Sequence, residues 1–157
     1  MAKMASGIMA ALFAFTMLSV AAFAQGWSSY ANDRYGTYAK VPPGFEMQPP
    51  PGNDDGRTFK APDGAVLRVF AEANAVDDTP SSYAERRLGY GGIDKVAYRK
   101  ATKTWAVVSG THGSQIVYEK YLFKDDIIRQ LTIEYPASLR AHYDPIVARL
   151  AASLKAP

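Results

Sequence analysis

A serine and a histidine lie close together in the segment SGTH, from Ser109 to His112. With Asp125 or Asp126 they could form a Ser-His-Asp triad, in which the histidine accepts the proton of the serine hydroxyl. A nucleophile elbow, however, has the form Gly-x-Ser-x-Gly at a strand-to-helix turn, whereas this serine falls within a predicted strand. The pattern favours a turn position for His112. A small envelope hydrolase that uses Ser109 and His112 remains an alternative.

Metal-ligating residue types are scarce. The chain has two histidines and no cysteine, which excludes cysteine-based sites and a histidine-rich zinc site. The segment Asn53-Asp54-Asp55-Gly56 offers the oxygen donors that calcium prefers, but it lacks the alternating donors and the later bidentate glutamate of a calcium loop. We therefore interpret this segment as a solvated turn, and the sequence predicts no metal and no cofactor.

Two tyrosines and an arginine, Tyr83, Arg87 and Tyr90, share one face of a predicted helix. Aromatic rings beside a guanidinium suit a carboxylate or sugar-like ligand, or a contact with a partner protein. An alternative is that the tyrosines lie half-buried over a sheet while the arginines are solvated. These three residues are the predicted ligand- or partner-binding residues.

The helix that carries them has clear start and stop signals. Thr79 can cap the free N–H groups, and Pro80 suits the first helical position. The sequence predicts that the helix ends between Leu88 and Tyr90, because the pair Gly91-Gly92 is a natural left-handed terminator.

Three antiparallel strands are predicted from Thr104 to Pro136, with turns at His112-Gly113 and Lys124-Asp125-Asp126. Their alternating pattern makes this segment the scaffold of the fold. Charged residues on neighbouring strands are predicted to form cross-strand pairs, namely Glu119, Lys120, Arg129 and Glu134.

Strands are also expected at Tyr35–Val41 and Lys95–Ala101, and a hairpin from Arg57–Ala61 to Ala65–Ala73. Residues 25–34 are interpreted as an N-terminal arm. A C-terminal helix is predicted to begin at Asp144-Pro145, after a shorter helix over Ala137–His142. The predicted fold class is α+β, with a central antiparallel sheet of about six to seven strands and an internal and a C-terminal helix packed on it.

The first residues have the features of a signal peptide. A short positive region contains Lys3, an apolar run covers Ile8–Val20, and Ala22-Phe23-Ala24 fits a cleavage site before Gln25. The predicted organisation is a signal peptide over residues 1–24 and a single domain over 25–157, with no membrane span after cleavage. A membrane anchor that stays in place is the alternative.

The charge balance argues against a nucleic-acid partner. The formal net charge is +3, and the basic residues are not concentrated in a run. We expect a periplasmic or secreted monomer that binds an unknown envelope protein or a small ligand.

Several landmarks together resemble the PsbP-like proteins, which include DcrB-like periplasmic proteins. They are Tyr30-x-Asn32-x-Arg34-Tyr35-Gly36, Val41-Pro42, Phe45, Phe59, Asp63-Gly64, Trp105, Tyr135-Pro136 and Tyr143-Asp144-Pro145. The resemblance covers roughly Trp27 to Leu154 and lies in the order of the elements. It implies a small exported α/β/α domain with a non-enzymatic accessory or assembly role.

The sequence therefore predicts an exported, non-enzymatic binding or accessory protein of the cell envelope. Besides the hydrolase, a second alternative is a structural or stress-protective periplasmic protein that binds no small ligand.

Overall fold

The computed structural model describes residues 26–157, so the predicted signal segment lies outside the described residues. The strands are β1 (Ser28–Asn32), β2 (Thr37–Val41), β3 (Glu46–Met47), β4 (Gly56–Lys60), β5 (Val66–Ala73), β6 (Lys95–Ala101), β7 (Trp105–His112), β8 (Gln115–Lys124) and β9 (Ile127–Pro136). The helices are α1 (Pro80–Gly89) and α2 (Arg140–Ser153), and a short 3-10 turn covers Ala137–Leu139.

A seven-stranded sheet with the order β3-β4-β5-β9-β8-β7-β6 forms the centre of the molecule. Every neighbouring pair in it is antiparallel. Strands β1 and β2 form a separate hairpin. The predicted α+β fold with an internal and a C-terminal helix is confirmed.

One face of the sheet packs against α2. Alternate residues of β9, such as Leu131 and Ile133, point to this face, where they meet Val147 and Leu150 of the helix. Tyr143 is buried in the same cluster, and its hydroxyl donates to the Asp63 carboxylate at 2.8 Å. The β1–β2 hairpin covers the next part of this face, where the Tyr30 and Phe59 rings meet edge to face.

The opposite face packs against α1. Tyr83 lies fully buried with its ring centroid 4.9 Å from that of Tyr121, and Ala106, Val108 and Ile128 complete this smaller core. The helix starts and stops where the sequence predicts. The backbone N–H of Ser82 donates to the Thr79 hydroxyl at the start.

Two predictions are wrong in detail. Residues 28–32 of the predicted arm form strand β1, because the chain turns at residues 33–36 and pairs with β2. The two predicted C-terminal helices are one α-helix that contains Pro145. Proline removes one backbone hydrogen bond, and the flanking turns tolerate the loss because the helix packs on the sheet through Tyr143 and Val147.

The predicted cross-strand charge pairs are also largely wrong. Arg129 is buried and donates to three backbone carbonyls, those of Tyr35 at 2.6 Å, Gly36 at 2.9 Å and Lys124 at 3.1 Å. Lys120 donates to the Ala151 carbonyl. The side chains of Arg129 and Lys120 thus donate to backbone carbonyls that would otherwise lack a hydrogen-bond partner.

Candidate functional site

A groove of about 410 Å³ runs between α2 and the sheet edge formed by β6, β7 and β8. It exists because α2 packs mainly on β8, β9 and the β1–β2 hairpin, which leaves space between the helix and the outer strands β6 and β7. The side chains that line it come from five elements. They are Ala97, Ser109, Thr111, Ile116, Tyr118, Tyr135, Arg140, Asp144, Val147 and Ala148.

Strand alternation places the hydroxyl groups of Ser109 and Thr111 on the groove side of β7, and Tyr118 lies across from Ser109 on β8. Tyr135 and Asp144 already bond to each other at 3.1 Å. By contrast, Ser109, Thr111 and Tyr118 have no hydrogen-bond partner for their hydroxyls among residues 26–157. Such solvent-accessible hydroxyls between apolar walls are suited to binding polar groups of a ligand.

Burial raises the pKa of Tyr118 to about 12, and the neighbouring Tyr98 adds to the shift. Tyr118 is therefore a neutral phenol at physiological pH, able to donate and to accept a hydrogen bond. Burial also raises the pKa of Tyr135 to about 12, supported by its bond to Asp144. The groove thus offers neutral donors between apolar walls, with Arg140 and Asp144 as its charged groups.

The structure separates the residues of the hypothetical triad. Ser109 and His112 are three positions apart on β7, so their side chains point to opposite faces of the sheet. Asp125 and Asp126 lie in the β8–β9 turn, at the far end of the ten-residue strand β8. That strand spans ~33 Å. The geometry therefore does not support the hydrolase alternative.

His112 has a different partner. Its Nδ1 lies 3.1 Å from the Asp94 carboxylate, which also accepts the backbone N–H of Gly113 at 2.8 Å. The Gly113 N–H, followed by His112, lowers the pKa of Asp94. Gly113 has a φ of +54°, which suits glycine in the tight β7–β8 turn. His112 is therefore the last residue of β7, paired with Gln115 beside the turn, rather than a turn residue as the sequence pattern favours.

The three predicted binding residues of α1 have different surroundings. Tyr83 is fully buried, and its hydroxyl donates to Glu72 at 2.6 Å. Burial, supported by Glu72, raises the pKa of Tyr83 well above its usual range. Arg87 is half-buried, and its Nε has no hydrogen-bond partner among the described residues. Tyr90 is 66% exposed.

Tyr90 lies near two guanidinium groups. The centroid of its ring is 6.0 Å from Cζ of Arg86 and 5.8 Å from Cζ of Arg87. Arg86 is held by an ion pair with Asp78 and also donates to the Tyr90 hydroxyl at 3.2 Å. The structure thus brings Arg87 and Tyr90 together at the surface, while the Tyr83 ring lies in the core below them.

The segment Asn53-Asp54-Asp55 forms a turn held by its own contacts. Asp54 pairs with Arg57 at 2.9 Å, and the Asn53 amide donates to Asp55 at 2.7 Å. Within residues 26–157, no three histidine, aspartate or glutamate side chains gather as they would around a metal ion. No helix in this part of the chain is long and apolar enough to cross a membrane.

Sequence reasoning missed the groove, because its lining residues form no local motif. The one local signal is the pair Ser109 and Thr111, two hydroxyls at the i, i+2 spacing that brings both to one face of a strand. This face meets Tyr118 and α2 only after β7, β8 and β9 have paired.

No family model matches the sequence, and no curated protein matches it. The fold does match solved structures. One is the solution structure of cyanobacterial PsbP (CyanoP) from Synechocystis sp. PCC 6803, with a TM-score of 0.64 and 11% sequence identity, covering 84% of this chain and 93% of that protein.

A second match is a crystal structure of a protein from Bacteroides thetaiotaomicron VPI-5482. Its TM-score is 0.56 at 12% identity, over 85% of this chain and 49% of that one. This chain thus spans about half the length of the Bacteroides protein. At such identities the likeness concerns the fold alone. With the sheet order and the two helices described above, it shows that this chain has a PsbP-like fold.

Proposed function

We propose that this chain is an exported, non-enzymatic binding or accessory protein of the cell envelope, and that the groove beside α2 holds its ligand or partner. The observation that carries the proposal is the set of three unbonded hydroxyls, Ser109, Thr111 and Tyr118, in a groove of about 410 Å³. Ligand sites typically combine apolar walls with a few convergent polar groups.

The walls of the groove support a ligand with an apolar part. Ile116 and Val147 are buried on either side, and Ala97 and Ala148 leave the space between the edge strand and the helix open. Export is supported by the signal-peptide features of residues 1–24. A non-enzymatic role is supported by the separation of Ser109 from His112 and from the aspartates of the β8–β9 turn.

A pair of tryptophan variants tests the site. Ala148 is exposed on α2 and lines the groove, so Ala148→Trp would fill it. Ala75 is exposed in the loop beside Tyr90, where Ala75→Trp would obstruct that surface instead. The full chain would be expressed with an affinity tag in an exporting bacterium. It would be recovered from the envelope fraction and analysed by native mass spectrometry and by proteomics of co-purifying proteins.

We expect a bound mass or a stoichiometric partner that is retained by Ala75→Trp and lost from Ala148→Trp. Circular dichroism would first show that both variants are folded. Retention by Ala148→Trp would overturn the groove as the binding site. Recovery of the tagged chain in the cytoplasm with residues 1–24 still attached would overturn export.

The surface around Tyr90 is a second candidate site, favoured by an aromatic ring that is 66% exposed between two guanidinium groups. Such rings are common at the centre of protein interfaces. Here the expectation is reversed, since Arg87→Ala and Tyr90→Ala would remove the partner while Ala148→Trp would keep it. If none of these variants changes what is bound, neither surface is the site, and if nothing is bound to the wild type, the structural or stress-protective alternative is favoured.

A further inference from the structure

The two edges of the seven-stranded sheet are protected very differently. Strand β3 at one edge has two residues and is followed by Pro49-Pro50-Pro51, which lack the N–H groups needed for pairing. Strand β6 at the other edge has seven residues, and every one of them is exposed. An edge of this length presents a row of N–H and C=O groups that another strand can pair with.

The contacts of β6 leave its outer edge open. Arg99 reaches the face that carries α1, where it pairs with Glu85 and donates to the Ser81 carbonyl at 3.2 Å. On the other face, Lys100 lies 5.7 Å from the centroid of the Trp105 ring. Both contacts lie on the faces of the sheet rather than in its plane. The outer backbone edge of β6 therefore pairs with no strand within residues 26–157.

This edge is basic. Strand β6 carries Lys95, Arg99 and Lys100, Lys103 follows it, and no acidic residue lies within it. Asp94, just before the strand, is occupied by His112 and Gly113. A second copy of β6 would place like charges opposite one another, which destabilises cross-strand pairs. The same charges would attract an acidic strand and guide its approach.

The strand is divided by a bulge between Val96 and Tyr98, opposite Gly110 of β7. A Cβ atom added at Gly110 would lie 2.1 Å from the Lys95 carbonyl oxygen, so the close approach of the two strands requires glycine. The bulge twists the edge, which limits long in-register pairing. Residues 98–101 keep a regular register with β7. Tyr98 is 50% exposed there and offers an aromatic surface to a neighbouring side chain.

We propose that β6 is a docking strand, which a short, extended, acidic segment of a partner protein joins as an eighth strand of the sheet. Backbone hydrogen bonds would come from residues 98–101, and glutamate or aspartate side chains of the segment would meet Lys95 and Lys100. The docking surface is the backbone edge of β6, whereas the strand contributes only Ala97 to the groove, so the inference does not rest on the function proposed above.

A defined peptide tests the proposal with the full chain. A nine-residue probe alternating threonine or valine with glutamate would be titrated by fluorescence anisotropy against a version with lysine in place of glutamate. We expect the acidic probe to bind and the basic one not to bind. Binding should weaken as salt is raised, and amide exchange should slow within residues 98–101.

Two charge-reversal variants with the same change in net charge give the matched control. Lys95→Glu with Lys100→Glu should weaken binding about tenfold. Lys60→Glu with Lys155→Glu, exposed positions away from β6, should change it less than about twofold. Equal loss in both variants would show attraction by overall charge only and overturn the proposal.

Three further outcomes would also overturn it. These are binding without amide protection in β6, loss of probe binding in the groove variant Ala148→Trp, and dimerisation of the free chain through β6 in light scattering. The last would identify a second copy as the occupant. Failure of the groove proposal leaves the peptide titration unaffected, so the two results can be told apart.

Discussion

The sheet has one partly uncovered half on each face, and the two halves differ in what lies beside them. On the α1 face, β4, β5 and the part of β9 beyond Ile128 are uncovered, and Arg68 meets Glu134 across the strands at 3.4 Å. On the α2 face, β6 and part of β7 are uncovered, and the hydroxyl-bearing residues Ser109, Thr111 and Tyr118 line the groove beside α2. Both halves are open to solvent, but the second faces Val147 and Ala148 of α2 across the groove. Exposure alone therefore does not identify a site.

The cause of this difference lies in the offset of the two helices. Helix α1 packs on β6, β7 and β8, whereas α2 packs on β8, β9 and the β1–β2 hairpin. The α2 face gains a second covering element in the hairpin, and it therefore has the larger core. We expect this face to dominate the stability of the domain. The first two predictions below test that contrast, and the other two concern single titrating groups in the groove and at the surface.

The largest expected effect is that of truncating a buried leucine of α2. Leu150→Ala should lower the free energy of unfolding by about 3–4 kcal/mol, because Leu150 is fully buried and its removal leaves a cavity. The matched variant Leu88→Ala, at a partly buried position of α1, should lower it by about 1 kcal/mol. Urea denaturation measures both. Equal losses would show that the two faces contribute equally.

The second prediction compares two arginines on neighbouring strands. Arg129→Met should lower the free energy of unfolding by about 2–3 kcal/mol, because it leaves three backbone carbonyls of two turns without their donor. Arg68→Met, which removes the ion pair on the open face, should cost less than about 1 kcal/mol, since Arg68 is 42% exposed. An equal cost for both would contradict a structural role for Arg129.

Local signals in the sequence account for much of the fold. The Thr79 cap and the Gly91-Gly92 stop define α1, since these glycines adopt φ values of +81° and +101° that other residues rarely take. The alternation within 104–136 defines β7, β8 and β9. These features depend on a few neighbouring residues, and the sequence therefore displays them.

Features that depend on distant contacts were not predicted. Strand β1 has a short pattern with two buried positions, Tyr30 and Asn32, and it is recognisable only through its pairing with β2. Helix α2 passes through Pro145 because the sheet holds both of its ends. The groove is of the same kind, since it requires β7, β8 and α2 to be in place. The predicted residues Arg87 and Tyr90 meet because they share one helix.

The third prediction concerns the groove at alkaline pH. The folded protein favours the neutral phenol of Tyr118, so its pKa rises from 10.0 to about 12. This contribution is fully present below pH 10 and is lost as the pH rises through about 12. The unfolding free energy of the wild type should decline between pH 10 and about pH 12. Tyr118→Phe should reduce the slope of this decline by up to about 1.4 kcal/mol per pH unit.

Denaturation at several alkaline pH values measures this slope. Ser109→Ala removes a neighbouring groove hydroxyl that does not titrate in this range, and its slope should equal that of the wild type. A slope unchanged by Tyr118→Phe would show that Tyr118 ionises alike in the folded and unfolded chains.

The smallest effect is expected at Asp94, which lies at the β7–β8 turn outside both uncovered halves. Its pKa lies below the ordinary 3.8, first because of the Gly113 N–H and then because of His112. A carboxyl group whose pKa is lower in the folded than in the unfolded protein stabilises the fold above its unfolded pKa. This contribution is lost as the pH falls through the folded pKa. Because Asp94 is exposed, Asp94→Asn should leave stability at neutral pH almost unchanged.

Carbon-13 NMR of the Asp94 carboxyl group can separate the two causes. In His112→Gln the titration midpoint should rise but stay below 3.8, because the Gly113 N–H still donates to the carboxylate. A midpoint that reaches the ordinary value would assign the whole shift to His112. It would also show that the backbone turn does not hold the carboxylate in solution. His112 would then be the residue that orders this end of β7. The contrast between buried polar groups such as Arg129 and surface polar groups such as Arg68 would weaken.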